Sequence, residues 1–196
     1  LTTAELDLLM EELPENHRVL ATLLRRTAAR VSEGLQLKWR YVGDGYVLLT
    51  APTTKGGRKT RTVPLHPELD AELRAWARVV NPNNNPDQWV FPGRNPGKHL
   101  TRRGFDHALR KTADRIGMVG ISTHTFRRSF LTASSEAGQP LRAIQSISGH
   151  SSLTMLAAYI DALPHVSGKA SSNQNGCSQT SLVKSTLVRG LTTWWR

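Results

Sequence analysis

Gly149–Ile160 reads GHSSLTMLAAYI. Ser151 and Ser152 offer cap oxygens, and Leu153, Leu156, Ala157 and Ile160 mark an apolar face, so a helix is predicted just after the glycine. His150 before it and Tyr159 near its end fit that pattern less well, the latter being one of three tyrosines in the chain. A buried phenol with one hydrogen-bond partner is the ordinary reading of such a tyrosine, and a cap or core role the ordinary one for the histidine. On one regular helix, at about 100° per residue, the step from 150 to 159 would turn the two side chains apart. They converge only if His150 stands before the helix and Tyr159 comes in from its far end, with Leu153, Leu156 and Ile160 as the anchor.

Working outward, the remaining text is mostly helical. Thr2 and Glu5 form a capping box that opens a helix through about Glu12. A second helix is expected over His17 to Ala29, with Val19, Leu20, Leu23 and Leu24 inside and Arg30 where it ends. Ser32 and Glu33 open a short helix that carries Leu35, Leu37 and Trp39 inward. Tyr46–Thr50 and Lys59–Leu65 read as strands, joined by Thr53-Thr54-Lys55-Gly56-Gly57, a hairpin with a glycine turn. Pro67 suits the first turn of a helix to about Val80. A polar loop over Asn81–Asp87 and an extended piece over Gln88–Phe91 follow. Thr101 caps a helix to Ile116, closed by Gly117. Helices over Thr125–Ala137, Leu141–Ser148 and Leu153–Leu163 complete the order, with Gly138 and Gly149 as stops. The expected fold is mostly α with a small antiparallel β-sheet, an α+β arrangement. Residues 166–196 hold no acidic residue and little periodicity, and read as a flexible C-terminal tail.

A chain of 196 residues is long enough to bury one ordinary core. The 26 Lys and Arg against 15 Asp and Glu give a formal net charge of +11, which favours a polyanionic partner, nucleic acid or an acidic membrane surface. The single cysteine, Cys177, excludes a disulfide framework and a cysteine-rich zinc site, and agrees with a reducing compartment. No apolar run of about 18 residues is present, so the expectation is a soluble cytoplasmic protein with no membrane partner.

Candidate chemistry begins at His124-Thr125-Phe126-Arg127, where residues i and i+3 share a face near a helix N-terminus, a place that suits an anion. A solvated basic face is the plain alternative, supported by neighbouring Arg128. Arg30 at a helix end and Lys55 in a glycine turn are each surface charges by default. A histidine-ligated metal nuclease is disfavoured, because Glu33 and Asp161 are scattered rather than at ligand spacing; no metal or cofactor is expected.

Taken in order, Arg30-Val31-Ser32-Glu33, Lys55, His124-x-x-Arg127, Gly149-His150 and Tyr159 resemble the catalytic domain of the tyrosine recombinases, or phage-type integrases. Leu35-x-Leu37-Lys38-Trp39 and Thr62-Val63-Pro64-Leu65 belong to the same likeness, which spans roughly Leu1 to Leu163. The resemblance implies a DNA breaking-rejoining enzyme with a site of Arg30, Lys55, His124, Arg127, His150 and Tyr159. In that family pattern Tyr159 is the nucleophile, forming a 3′-phosphotyrosine link. Arg30, Arg127 and His150 bind the scissile phosphate, Lys55 protonates the departing 5′-hydroxyl, and His124 assists proton transfer at the tyrosine. Double-stranded DNA is the implied partner, with four subunits around two duplexes. The implied domain is residues 1–165.

Three departures from the family pattern stand out. Ala28-Ala29 replaces the usual Gly-Leu before the first arginine, and Ser148 replaces the leucine common before Gly-His. The N-terminal core-binding domain usual in the family has no counterpart in this text. The competing readings are a truncated DNA-binding remnant that occupies sites without cutting, and a type IB topoisomerase-like enzyme.

Overall fold

The computed structural model describes residues 1–50 and 60–162. Its elements run α1 (Thr3–Glu11), α2 (Glu15–Thr27), α3 (Val31–Leu35), a 3-10 turn at Trp39–Tyr41, β1 (Val42–Gly43), β2 (Tyr46–Leu49), β3 (Arg61–Pro64), α4 (Pro67–Val80), α5 (Arg102–Arg115), α6 (Thr125–Glu136), α7 (Leu141–Ser148) and α8 (Leu153–Asp161). The described fold is therefore mostly helical with one small sheet, as expected. The glycine turn carrying Lys55, and the tail from 166, lie outside the described residues.

The sheet is antiparallel in the order β1-β2-β3, with Val47 opposite Val63 and Leu49 opposite Arg61. Alternation puts Val47, Leu49 and Val63 on the buried face. The β1 edge and the 3-10 turn went unforeseen, since two or three residues carry too little period to read. The extended piece near Gln88 is held by an antiparallel bridge between Lys38 and Trp89, with a second between Pro92 and His99 just beyond it, and Val90 and Phe91 are fully buried.

The core gathers around α2, whose Val19, Leu20, Leu23 and Leu24 are closed off from solvent. Helix α2 starts two residues earlier than expected, at Glu15. Pro14 is its N-cap, and the Pro14 carbonyl accepts from the N–H groups of His17 and Arg18. It also stops earlier, at Thr27. Ala28 turns left-handed (φ 51°) and Arg30 is extended (φ −75°, ψ 147°), so the chain leaves one helix and enters α3 within three residues. Thr27 stabilises that corner: its hydroxyl donates to the Leu23 carbonyl at 2.6 Å and accepts from the Ala29 N–H at 3.3 Å.

A second, smaller apolar cluster of Leu131, Ile144, Leu156 and Ile160 ties α6, α7 and α8 together, with Phe130 and Tyr159 packed on its edge. Leu156 and Ile160 are the buried part of the anchor read from the sequence, while Leu153 is only partly covered. Among the described residues no helix is long and apolar enough to cross a membrane.

Candidate active site

Four separate corners bring the candidate residues to one place. Arg30 stands at the N-cap of α3, two residues after the left-handed Ala28. Arg127 lies on the first turn of α6, and His124 caps that helix. His150 follows Gly149, whose left-handed backbone (φ 67°) ends α7 and redirects the chain into α8. Tyr159 is on the last turn of α8.

Arg127 is the hub. It is 6% exposed, and one terminal nitrogen donates to the Ala28 carbonyl. Its other terminal nitrogen lies 3.2 Å from His150 Nε2 and 3.4 Å from Nδ1. The His150 and Tyr159 rings are 6.0 Å apart between centroids and tilted by 38°. The step from 150 to 159 is thus closed as geometry demanded, with the histidine before the helix and the tyrosine at its far end. Tyr159 is half-buried on the small apolar cluster rather than sealed in the core.

The electrostatics are those of crowded cations. Burial pushes the Arg127 guanidinium down to about 10, and the neighbouring Arg30 and Arg61 push the same way against Glu33 and Tyr159. His150 is lowered to about 4, first by burial and then by Arg127, Arg30 and Arg61. His124 is exposed, and its imidazole is also lowered, by partial burial and then by Arg102, Arg127, Arg30 and Arg128. At neutral pH both imidazoles are neutral and the arginines carry the charge. An anion placed among these groups would relieve their mutual repulsion.

Two groups to which the sequence assigns no role in the site, Glu33 and Ser148, complete it. Glu33, with a side chain 1% exposed, accepts from the Arg30 backbone N–H at 2.7 Å and from its guanidinium at 3.4 Å. It also accepts a bidentate pair from Arg61 at 2.9 and 3.0 Å. Burial alone would raise the Glu33 carboxyl, but the Arg61 fork and Arg30 outweigh it and hold the group below its ordinary value. Ser148, fully buried, has its Oγ 2.7 Å from His150 Nδ1. Gln145 fixes the same turn by donating to the His150 carbonyl at 3.0 Å. Glu33 stands two positions from both Val31 and Leu35, on the opposite side of the helix from that apolar pair, so periodicity does not mark it as needing a buried partner. Nothing in the sequence pointed to Arg61 as that partner. Arg30, His124, Arg127, His150 and Tyr159 are placed by the described structure, while Lys55 lies outside the described residues.

Known proteins share sequence and fold with this chain. A sequence profile described as the phage integrase family matches residues 1–165. The tyrosine recombinase XerD of Rhizobium meliloti is 31% identical over 147 residues, covering 74% of this chain and 46% of that protein. The chain spans about half the length of the curated relatives it matches. Among solved structures, XerA recombinase superposes with a TM-score of 0.72 at 21% identity, covering 84% of this chain and 60% of that one. The Tn1549 transposon integrase, solved in complex with transposon right end DNA, gives 0.68 at 18% identity, covering 81% and 60%. Both likenesses are of fold, that of a tyrosine recombinase catalytic domain. On the profile match, the chain belongs to the phage integrase family of tyrosine recombinases.

Proposed function

We propose that this chain is the catalytic part of a site-specific DNA recombinase or integrase, cutting and rejoining strands through a 3′-phosphotyrosine link. The observation that carries the reading is Arg127, held between the Ala28 carbonyl and His150 while the Tyr159 ring lies 6.0 Å from the His150 ring. A phosphodiester entering there meets Arg30 and Arg127 forks on its non-bridging oxygens and His150 beside them. Tyr159 Oη attacks phosphorus in line, the bond to the 5′ oxygen breaks, and the phenolic proton leaves with assistance from His124. Lys55 gives its proton to the departing 5′-hydroxyl. The energy of the broken phosphodiester is kept in the new ester, so attack by a 5′-hydroxyl reseals the strand without a nucleotide cofactor.

Residues 1–165 act as the catalytic domain, and double-stranded DNA is the partner, consistent with the net charge of +11. The full protein works as a tetramer on two duplexes, in the cytoplasm and at the nucleoid. To test the enzymatic reading, duplexes that bind the chain are selected from a randomised pool, nicked to trap cleavage, and resolved on a denaturing gel. A covalent protein–DNA band is expected. Binding without a band would leave a DNA-binding remnant, and relaxation of supercoiled plasmid without exchange of strands would favour a topoisomerase.

A further inference from the structure

The described structure contains one buried ion pair that the proposed chemistry does not use. The Arg61 side chain is 10% exposed and that of Glu33 1%. Arg61 leaves β3 and spends three N–H groups in two directions. Its two terminal nitrogens form the fork to Glu33, and Nε donates to the Ile147 carbonyl at 2.7 Å, one turn-end before His150. The guanidinium also lies flat against the turn itself. A Cβ built on Gly149 would come within 2.9 Å of Arg61 Nη1 and 3.0 Å of its Cζ, so glycine is required there for close approach as well as for its positive φ.

One guanidinium therefore touches both sides of the candidate site. On one side is Glu33, which holds Arg30 through backbone and side chain. On the other is the end of α7, from which Gly149 and His150 emerge. We infer that Arg61 is a positioning residue that sets the spacing between Arg30 and the Gly149–His150 turn, and so keeps the two halves of the phosphate clamp in register. The inference rests on the reading of Arg30 and His150 as phosphate ligands. A lone buried salt bridge is weak evidence for stability, because desolvation offsets most of the attraction. The third bond, to the Ile147 carbonyl, makes the arrangement directional. A lysine in place of Arg61 keeps the charge but has no planar fork, and it cannot serve the carboxylate and the carbonyl together.

The test is Arg61→Lys in the full chain, beside Glu33→Gln, which leaves Arg61 in place but removes half of its fork. Single-turnover covalent cleavage of the selected nicked duplex should fall roughly tenfold or more for each, as expected when a preorganised donor is displaced, while affinity changes less than about threefold. A duplex with a methylphosphonate at the scissile position lacks the non-bridging charge that the clamp serves, so the variants' deficit should shrink on it. Cleavage within about twofold of wild type, an equal deficit on both duplexes, or a parallel loss of affinity would each overturn the inference. Amide hydrogen exchange reads the same claim without activity: in both variants, exchange over 28–34 and 145–150 should quicken together relative to the α2 core. Unchanged exchange in both segments, or general quickening that includes α2, would overturn it too. If wild type binds DNA and never cleaves, the enzymatic reading fails, and the exchange result alone decides the positioning claim.

Discussion

Ser148 Oγ lies 2.7 Å from His150 Nδ1, across the single glycine that ends α7. On the ring's other side, one Arg127 terminal nitrogen, which can only donate, lies 3.2 Å from Nε2 and 3.4 Å from Nδ1. The Ser148 hydroxyl can donate or accept, so it pairs with Nδ1 in either neutral tautomer. Ser148 thus orients the ring from behind, in a position where the family more often has leucine. Ser148→Ala should reduce single-turnover cleavage about three- to tenfold with DNA affinity unchanged, as for loss of one neutral orienting hydrogen bond. An unchanged cleavage rate would show that packing alone fixes the ring.

Arg127 carries structure as well as chemistry. Truncation removes the donor to the buried Ala28 carbonyl, a loss worth about 1–3 kcal/mol for an unsatisfied buried group. Arg127→Ala should therefore lower stability by that order in urea unfolding, and cut covalent cleavage by roughly a hundredfold or more. Full stability in the variant would mean that water replaces the guanidinium at the carbonyl.

The His150 pKa dictates a pH dependence of folding. The unfolded chain takes up this proton near 6.5 and the folded chain only near 4, so between those values the unfolded state binds more protons. Stability contributed by the neutral ring is present above 6.5, falls as pH drops toward 4, and levels off below. His17 and His124 are lowered as well, so the difference between wild type and His150→Gln isolates this group. That difference should be flat above pH 6.5 and slope below it. Bound DNA should raise the His150 pKa, followed by NMR titration, because phosphate charge offsets the arginines. A downward shift on binding would contradict the placement of phosphate beside the ring.

Ala28 and Ala21 are both fully buried, but only Ala28 is left-handed. Glycine at an interior helical site costs about 1 kcal/mol of propensity and about 0.8 kcal/mol of lost methyl burial. At Ala28 the release of about 1–2 kcal/mol of left-handed strain opposes those losses. Ala21→Gly should then cost about 2 kcal/mol and Ala28→Gly close to none, measured by urea unfolding. Equal costs would refute strain at the corner before Arg30.

The helices were legible because their caps and apolar stripes are local: Thr2 with Glu5, Thr101 and the stripe of α2 all stand as read. The likeness that picked out Arg30, His124, Arg127, His150 and Tyr159 worked from text order. Contacts between distant strands and turns left no such trace. Arg61 read as one more β-strand residue, because its carboxylate partner is 28 positions away and its carbonyl partner 86. The left-handed backbone of Ala28 was hidden for a different reason. Its residue type disfavours that conformation, and only the tertiary corner imposes it. With that corner known, the glycine usual in the family at this position has a backbone explanation.

Mass spectrometry of the proteolysed covalent complex identifies the nucleophile itself. After nuclease trimming, a nucleotide phosphate mass is expected on the peptide containing Tyr159, and no adduct in Tyr159→Phe although the variant still binds the duplex. An adduct on any other residue, or one that persists in Tyr159→Phe, would contradict Tyr159 as the nucleophile.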